Sequence, residues 1–192
     1  QQGKRQDSIS THELVSSAGT TGIPRARWLE RSATDSSGTG HMRTIDHFIG
    51  GSSFASGERQ GDIFNPSEGQ VQATVRLGTA ADLQRAVDAA KAAQSAWAAT
   101  NPQRRARVMF RFKELIEQNM DDLARTLSSE HGKVIADAKG DIQRGLEVIE
   151  YTCGIPQALK GEYTQGAGPG IDVYSMRQPL GIGAGITPFN FP

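Results

Sequence analysis

The stretch Arg177-Gln178-Pro179-Leu180-Gly181-Ile182-Gly183-Ala184-Gly185-Ile186-Thr187-Pro188-Phe189-Asn190-Phe191-Pro192 decides how the rest of the chain is read. From Leu180 to Thr187 it is apolar and carries no charge, the composition of a central strand covered on both faces. Such a strand needs a neighbour on each edge, because its backbone N–H and C=O groups otherwise stay unpaired, and a parallel neighbour needs a crossover connection. Only the five residues 188–192 follow it. The expectation is therefore a fragment of an α/β fold. Gly181, Gly183 and Gly185 look like part of a dinucleotide fingerprint, yet the third glycine comes one place early, no helix follows, and no acidic residue stands about 20 positions on. Glycines that let a core strand pack closely are the preferred reading.

Working back from that stretch, Ile171–Arg177 alternates apolar with polar residues, so a strand at a sheet edge is expected there, interrupted by Gln178-Pro179. A turn at 166–170 precedes it. Before the turn lie four consecutive helical segments. Thr79 and Asp82 open the first as a reciprocal cap, and Leu83, Val87, Ala90 and Trp97 share one of its faces. Asn101-Pro102 starts a second helix over 102–118 with Val108, Phe112, Leu115 and Ile116 on one side. A third, from Met120 to Glu130 with Leu123 and Leu127 inward, stops at Gly132, and a fourth runs from about Val134 to Thr152 and stops at Gly154-Ile155-Pro156. Four helices without intervening strands are not a complete Rossmann unit. Further back, 44–77 reads as short strands. Gly50-Gly51 marks a hairpin and 65–69 a turn, which predicts two small antiparallel pairs.

Composition bounds the function. The 192 residues carry 21 basic and 21 acidic side chains, so no net field draws nucleic acid or an anionic membrane. No run approaches the roughly 18 apolar residues of a membrane-spanning helix. Hydrophobic residues make up only 36%, and the deficit is concentrated in residues 1–41, which are rich in Ser, Thr, Gly and Arg without sustained periodicity. These read as a disordered leader or a non-native extension, with the folded region starting near Met42. Arg25, Arg27 and Arg31 among serines suggest a targeting peptide, but Asp7, Glu13, Glu30 and Asp35 argue against one. The divisions expected are 1–41, then 42–160, a hairpin segment at 161–179, and 180–192.

Isolated chemistry is sparse. His12, His41, His47 and His131 have no metal-ligand spacing with one another or with Cys153, so no metal site is expected. Cys153, the sole cysteine, has the surroundings of a buried and inert thiol. Glu147 and Glu150 read as solvated or salt-bridged carboxylates, and spacing alone makes Arg144 a surface ion pair.

The terminal stretch 177–192 strongly resembles the strand and turn that open the cofactor site of aldehyde dehydrogenases. Phe64-Asn65-Pro66, 89–97, 104–108, Glu130-His131-Gly132-Lys133 and 144–147 match the same family in order and spacing. Phe189, where many members carry Trp, resembles the CoA-acylating branch that acts on methylmalonate and malonate semialdehydes in valine and inositol breakdown. The resemblance implies an NAD-dependent oxidation with coenzyme A as co-substrate, giving an acyl-CoA and CO2. It implies NAD contacts from Ile186, Thr187, Pro188 and Phe189, oxyanion donation by the Asn190 amide, and a substrate carboxylate held by Arg144. It further implies that 161–178 is an oligomerisation hairpin of a homotetramer. The family's nucleophilic Cys and general-base Glu lie beyond the Asn-Phe-Pro turn, and Cys153 is no substitute, so residues 1–192 alone are expected to be inactive. A CoA-independent succinate-semialdehyde oxidiser is the nearest enzyme alternative. A non-catalytic module binding a partner through the edge strand Ile171–Arg177 is the alternative of another class. A cytoplasmic location is expected, with the mitochondrial matrix as the alternative.

Overall fold

Short β-prone runs separated by turns build the first part of the structure, a computed structural model that describes residues 42–191. The leader and Pro192 lie outside the described residues. Strands β1 (Arg43–Ile45) and β2 (His47–Ile49) are separated at Asp46. The Asp46 carboxylate accepts a hydrogen bond from Arg76 Nε at 2.8 Å, and the chain leaves one sheet for another there. β2 pairs antiparallel with β3 (Ser52–Phe54) across Gly50-Gly51. Both glycines have positive φ, +62° and +83°, as a tight two-residue hairpin turn demands. β4 (Gln60–Phe64) and β5 (Val71–Arg76) form the second antiparallel pair, and β1 adds to β5 in parallel. That parallel contact joins strands far apart in sequence, and neither turn chemistry nor alternation announced it.

Helix α1 (Ala80–Ala99) begins at the expected cap: Thr79 N–H and hydroxyl donate to the Asp82 carboxylate at 2.8 and 2.7 Å, and the Asp82 N–H donates to the Thr79 hydroxyl. Arg85 lies 4.1 Å from the centre of the Phe54 ring, tying α1 to the β2–β3 hairpin. The apolar face assigned to α1 is largely uncovered, with Leu83 68% and Trp97 48% exposed. Val87 and Ala90 of that face are half-buried, and β2 meets the start of the helix.

Helices α2 (Pro102–Gln118), α3 (Met120–His131) and α4 (Ile135–Cys153) hold the core, followed by a short helix α5 (Ile155–Ala158) where only a stop was expected. Ala106, Ala124, Ala138 and Leu146 are the buried residues of this bundle. Alanines at the crossings let the helix backbones approach, and Leu146 fills the remaining space, a burial that contributes about 2 kcal/mol. Val108 and Phe112, expected to face inward, stay about half exposed, because Ala106 takes the contact position. Between helices, Lys113 pairs with Glu150 at 3.3 Å and Lys139 with Asp121 at 2.6 Å. The Lys139 contact lowers the pKa of Asp121.

The last elements are β6 (Tyr163–Gly168) and β7 (Ile171–Tyr174), an antiparallel hairpin. Its turn is confined to Pro169-Gly170, shorter than expected, since β6 runs on to Gly168, which pairs with Ile171 after an irregularity between Thr164 and Gly168. β7 ends three residues before Arg177, where pairing with β6 runs out. Tyr163 OH and Gly166 N–H both donate to the Asp172 carboxylate, at 2.6 and 2.8 Å, which lowers the Asp172 pKa and raises that of Tyr163. Residues 180–187, expected as a paired central strand, join no ladder among the described residues, and Leu180 and Ile186 are fully exposed. The apolar composition of such a strand is satisfied only by flanking strands and covering helices, and none of these meets it here.

Candidate functional site

The link between α3 and α4 sets the geometry of the terminal turn. Gly132 ends α3 in the left-handed conformation, φ +84°, and its N–H donates to Ser128 O at 2.8 Å. A side chain there would also press on the Pro66 ring, since an added Cβ would lie 3.0 Å from Pro66 Cγ. The Ser128 hydroxyl then donates to Lys133 O at 2.6 Å, fixing the backbone of the next residue.

From that anchored backbone the Lys133 ammonium reaches three partners. It forms an ion pair with Asp141, in the second turn of α4. It donates to the backbone carbonyl of Asn190 at 2.7 Å, and it stands 4.7 Å from the centre of the Phe191 ring. The side chains of Lys133 and Asp141 are only 18% and 12% exposed, so this pair is far less diluted by water than the surface pairs on α2 and α3. Its three N–H donors thus face a carboxylate, a carbonyl and an aromatic ring.

The turn so held presents Asn190 outward. Its side chain is exposed and has no hydrogen-bond partner among the described residues, while Phe189 is 90% exposed at the edge of a cleft of about 420 Å3. Leu123, Leu127, His131 and Ile142 wall that cleft. The His131 Nδ1 atom is buried there without a partner among the described residues. Ile186, Thr187, Pro188 and Phe189 are exposed, uncharged and mostly apolar. This surface offers apolar area and the Thr187 hydroxyl, and no cation.

Arg144 lies three residues after Asp141 on α4, exposed, and among the described residues no carboxylate pairs with it. The surface ion pair that spacing suggested is absent from the described residues, and its guanidinium fork is available to an anion. Cys153, at the end of α4, is half-buried rather than buried. In the sequence Lys133 stands out only within Glu130-His131-Gly132-Lys133, and Asp141 carries no local signal. Their pairing spans the α3–α4 link, so no helical spacing signals it.

A second polar cluster lies at the start of α1. The Ser56 hydroxyl nearby and the hydrogen bonds from Thr79 hold the Asp82 carboxyl down at about 2, with a smaller attraction from His47. This carboxylate stays ionised at any ordinary pH and serves as a helix cap. Among the described residues no cluster of three or more His, Cys, Asp or Glu side chains is arranged to hold a metal ion. No described helix is long and apolar enough to cross a membrane.

The model of the Aldehyde dehydrogenase family matches residues 54–192, and the chain belongs to that family of oxidoreductases. It is similar to the malonate-semialdehyde dehydrogenase of Pseudomonas aeruginosa, 49% identical over 151 residues that cover 79% of this chain and 30% of that protein. It is 43% identical to the mitochondrial acylating methylmalonate-semialdehyde dehydrogenase of Arabidopsis thaliana, over 88% of this chain and 28% of the relative. Among solved structures, a Sinorhizobium meliloti protein described as a methylmalonate-semialdehyde dehydrogenase and complexed with NAD superposes with a TM-score of 0.76 at 61% identity, covering 79% of this chain and 31% of that one. The methylmalonate-semialdehyde dehydrogenase of Oceanimonas doudoroffii gives the same TM-score at 47% identity. The chain thus spans about three tenths of the length of these relatives, and its fold is that of the N-terminal part of an aldehyde dehydrogenase.

Proposed function

We propose that this chain supplies the N-terminal part of the active centre of a semialdehyde dehydrogenase that uses NAD and transfers its acyl product to coenzyme A. The observation that carries the reading is the turn at 188–191: its backbone is held by Lys133 while the Asn190 amide points free into solvent. When a nucleophile adds to an aldehyde carbon, negative charge develops on the carbonyl oxygen. A fixed, neutral NH2 donor stabilises that charge without attracting a competing ion, an effect of roughly 3–4 kcal/mol. NAD, when bound, accepts the hydride that leaves the aldehyde carbon. Ile186, Thr187, Pro188 and Phe189 would form the wall that orients it.

Arg144 would hold the carboxylate of the 3-oxo acid through its planar fork, which distinguishes such substrates from plain aldehydes. The acylating assignment is supported by the names of the Arabidopsis and mammalian relatives, and by Phe189. Loss of the substrate carboxylate as CO2 would leave propionyl-CoA or acetyl-CoA. In this reading residues 42–160 belong to the NAD-binding domain, β6–β7 is the subunit-contact hairpin of a homotetramer, and 180–192 opens the Rossmann core. The cytoplasm is the proposed compartment; the Arabidopsis relative's name makes the mitochondrial matrix the alternative.

The test is NADH formation by the complete natural polypeptide that contains this sequence, with methylmalonate semialdehyde, with and without CoA. CoA-dependent turnover is expected, and Asn190→Ala should lower kcat by about 10²–10³-fold. Arg144→Ala should lower kcat/KM for the carboxylate-bearing substrate by about 10–100-fold and leave plain aldehydes nearly unaffected. Turnover that ignores CoA would point to a CoA-independent branch, and no turnover at all would overturn the enzyme reading.

A further inference from the structure

Lys133 is the one described side chain that donates a hydrogen bond to the terminal turn. Its contact is with the carbonyl of Asn190, so it fixes the peptide plane that joins Asn190 to Phe191. The same ammonium stands 4.7 Å from the Phe191 ring. One cation therefore restrains the chain on the C-terminal side of Asn190 at two points. On the other side Pro188 limits the backbone by its ring.

The cation is itself restrained. Ser128 fixes its backbone through the Lys133 carbonyl, Gly132 fits against Pro66, and Asp141 holds the ammonium from the facing helix. A long flexible side chain is ordinarily a poor positioning device, because ordering it costs rotamer entropy. Here that freedom is already removed by the bundle.

We infer that Lys133 is a positioning residue, acting with Asp141 through the Asn190 carbonyl to aim the Asn190 amide at the developing oxyanion. The inference rests on the proposed role of Asn190 as oxyanion donor. It predicts that the contribution of Lys133 to catalysis disappears when the Asn190 amide is gone.

The test is a double-mutant cycle in the complete natural polypeptide, reading kcat for NADH formation, with thermal melting to confirm that each variant folds. Lys133→Met should lower kcat by about 10- to 100-fold, the order expected for misplacing a catalytic group by around an ångström. In the Asn190→Ala background the same substitution should change kcat little, a strong coupling rather than a product of two effects. Lys133→Arg, which keeps a cation within reach, should recover part of the loss. Asp141→Asn retains the ammonium and weakens its hold, so it should give a smaller loss that is likewise silent without the Asn190 amide. It carries the test if Lys133→Met does not fold. If Asn190→Ala is harmful and the Lys133 and Asp141 effects multiply with it, or are absent, Lys133 does not act through Asn190 and the inference is overturned. If Asn190→Ala alone leaves kcat unchanged, the oxyanion reading fails first and this inference falls with it.

Discussion

Helices α2, α3 and α4 cover one another at Ala106, Ala124, Ala138 and Leu146, each at most 3% exposed, whereas the segment after β7 leaves Leu180, Ile186 and Phe189 at least 90% exposed. Both regions are apolar, yet only the first has a partner for its apolar face. The segment that carries the candidate chemistry makes no ladder, and the side-chain hydrogen bond it receives comes from Lys133, on the link between α3 and α4. Position at the site is thus borrowed from the bundle, and the contrast is between a region that orders itself and one that is ordered from outside.

The bundle half of that contrast is most exposed at Leu146. Replacing it with alanine should lower the opening free energy of the α2–α4 amides by about 2–4 kcal/mol, from lost transfer energy and the cavity left behind. Hydrogen exchange on the intact protein reads this directly, because core helices exchange only through large openings. If amides of 186–191 already exchange as freely as unstructured chain, they should not respond. A bundle that tolerated Leu146→Ala without loss would mean that its alanine contacts alone hold the helices.

This contrast also explains what was legible in the amino-acid sequence. Local rules succeeded where the structure is local: Thr79 with Asp82, Asn101-Pro102, Gly132 and Gly50-Gly51 all stand where capping and turn chemistry put them. Apolar periodicity located the helices but not which faces are covered, since Leu83, Val108 and Phe112 fit the pattern and remain exposed. Burial is a property of the neighbours. The parallel β1–β5 pairing and the Lys133–Asp141–Asn190 contact join residues distant in sequence, and no spacing rule reaches them. Asn190 and Arg144 stand out only through the family resemblance, because an exposed amide and an exposed guanidinium carry no local signal of their own.

Helix α1 sharpens the comparison, because it has little covering and a strong local cap. Thr79→Ala should cost about 1 kcal/mol in the opening of its first turn. Asp82 adds a pH dependence whose sign follows from its pKa. The folded value, about 2, lies below the ordinary carboxylate value in the unfolded chain, so its stabilisation is fully present above about pH 4. It is lost as pH falls through about 2. Exchange of the amides at 80–83 should therefore rise, relative to those of α2–α4, between pH 4 and pH 2. Asp82→Asn should abolish that dependence, and an unchanged profile would mean that the carboxylate is not what fixes the turn.

The smallest effect is expected where two charges meet in water. Arg43 and Glu130 join β1 to the end of α3 at 3.3 Å, but their side chains are 50% and 42% exposed. Solvent and salt screen such a pair, and removing it by Glu130→Gln should change stability by roughly 0.2–0.5 kcal/mol, less at high salt. The sheet does not depend on that pair to meet the bundle, since Gln72 Nε2 also donates to Ser129 O at 3.0 Å and Pro66 rests against Gly132. A loss several times larger would make the charge pair part of the frame that orients the Gly132-Lys133 link. The boundary between the self-ordered and the borrowed region would then begin at the sheet rather than at Lys133.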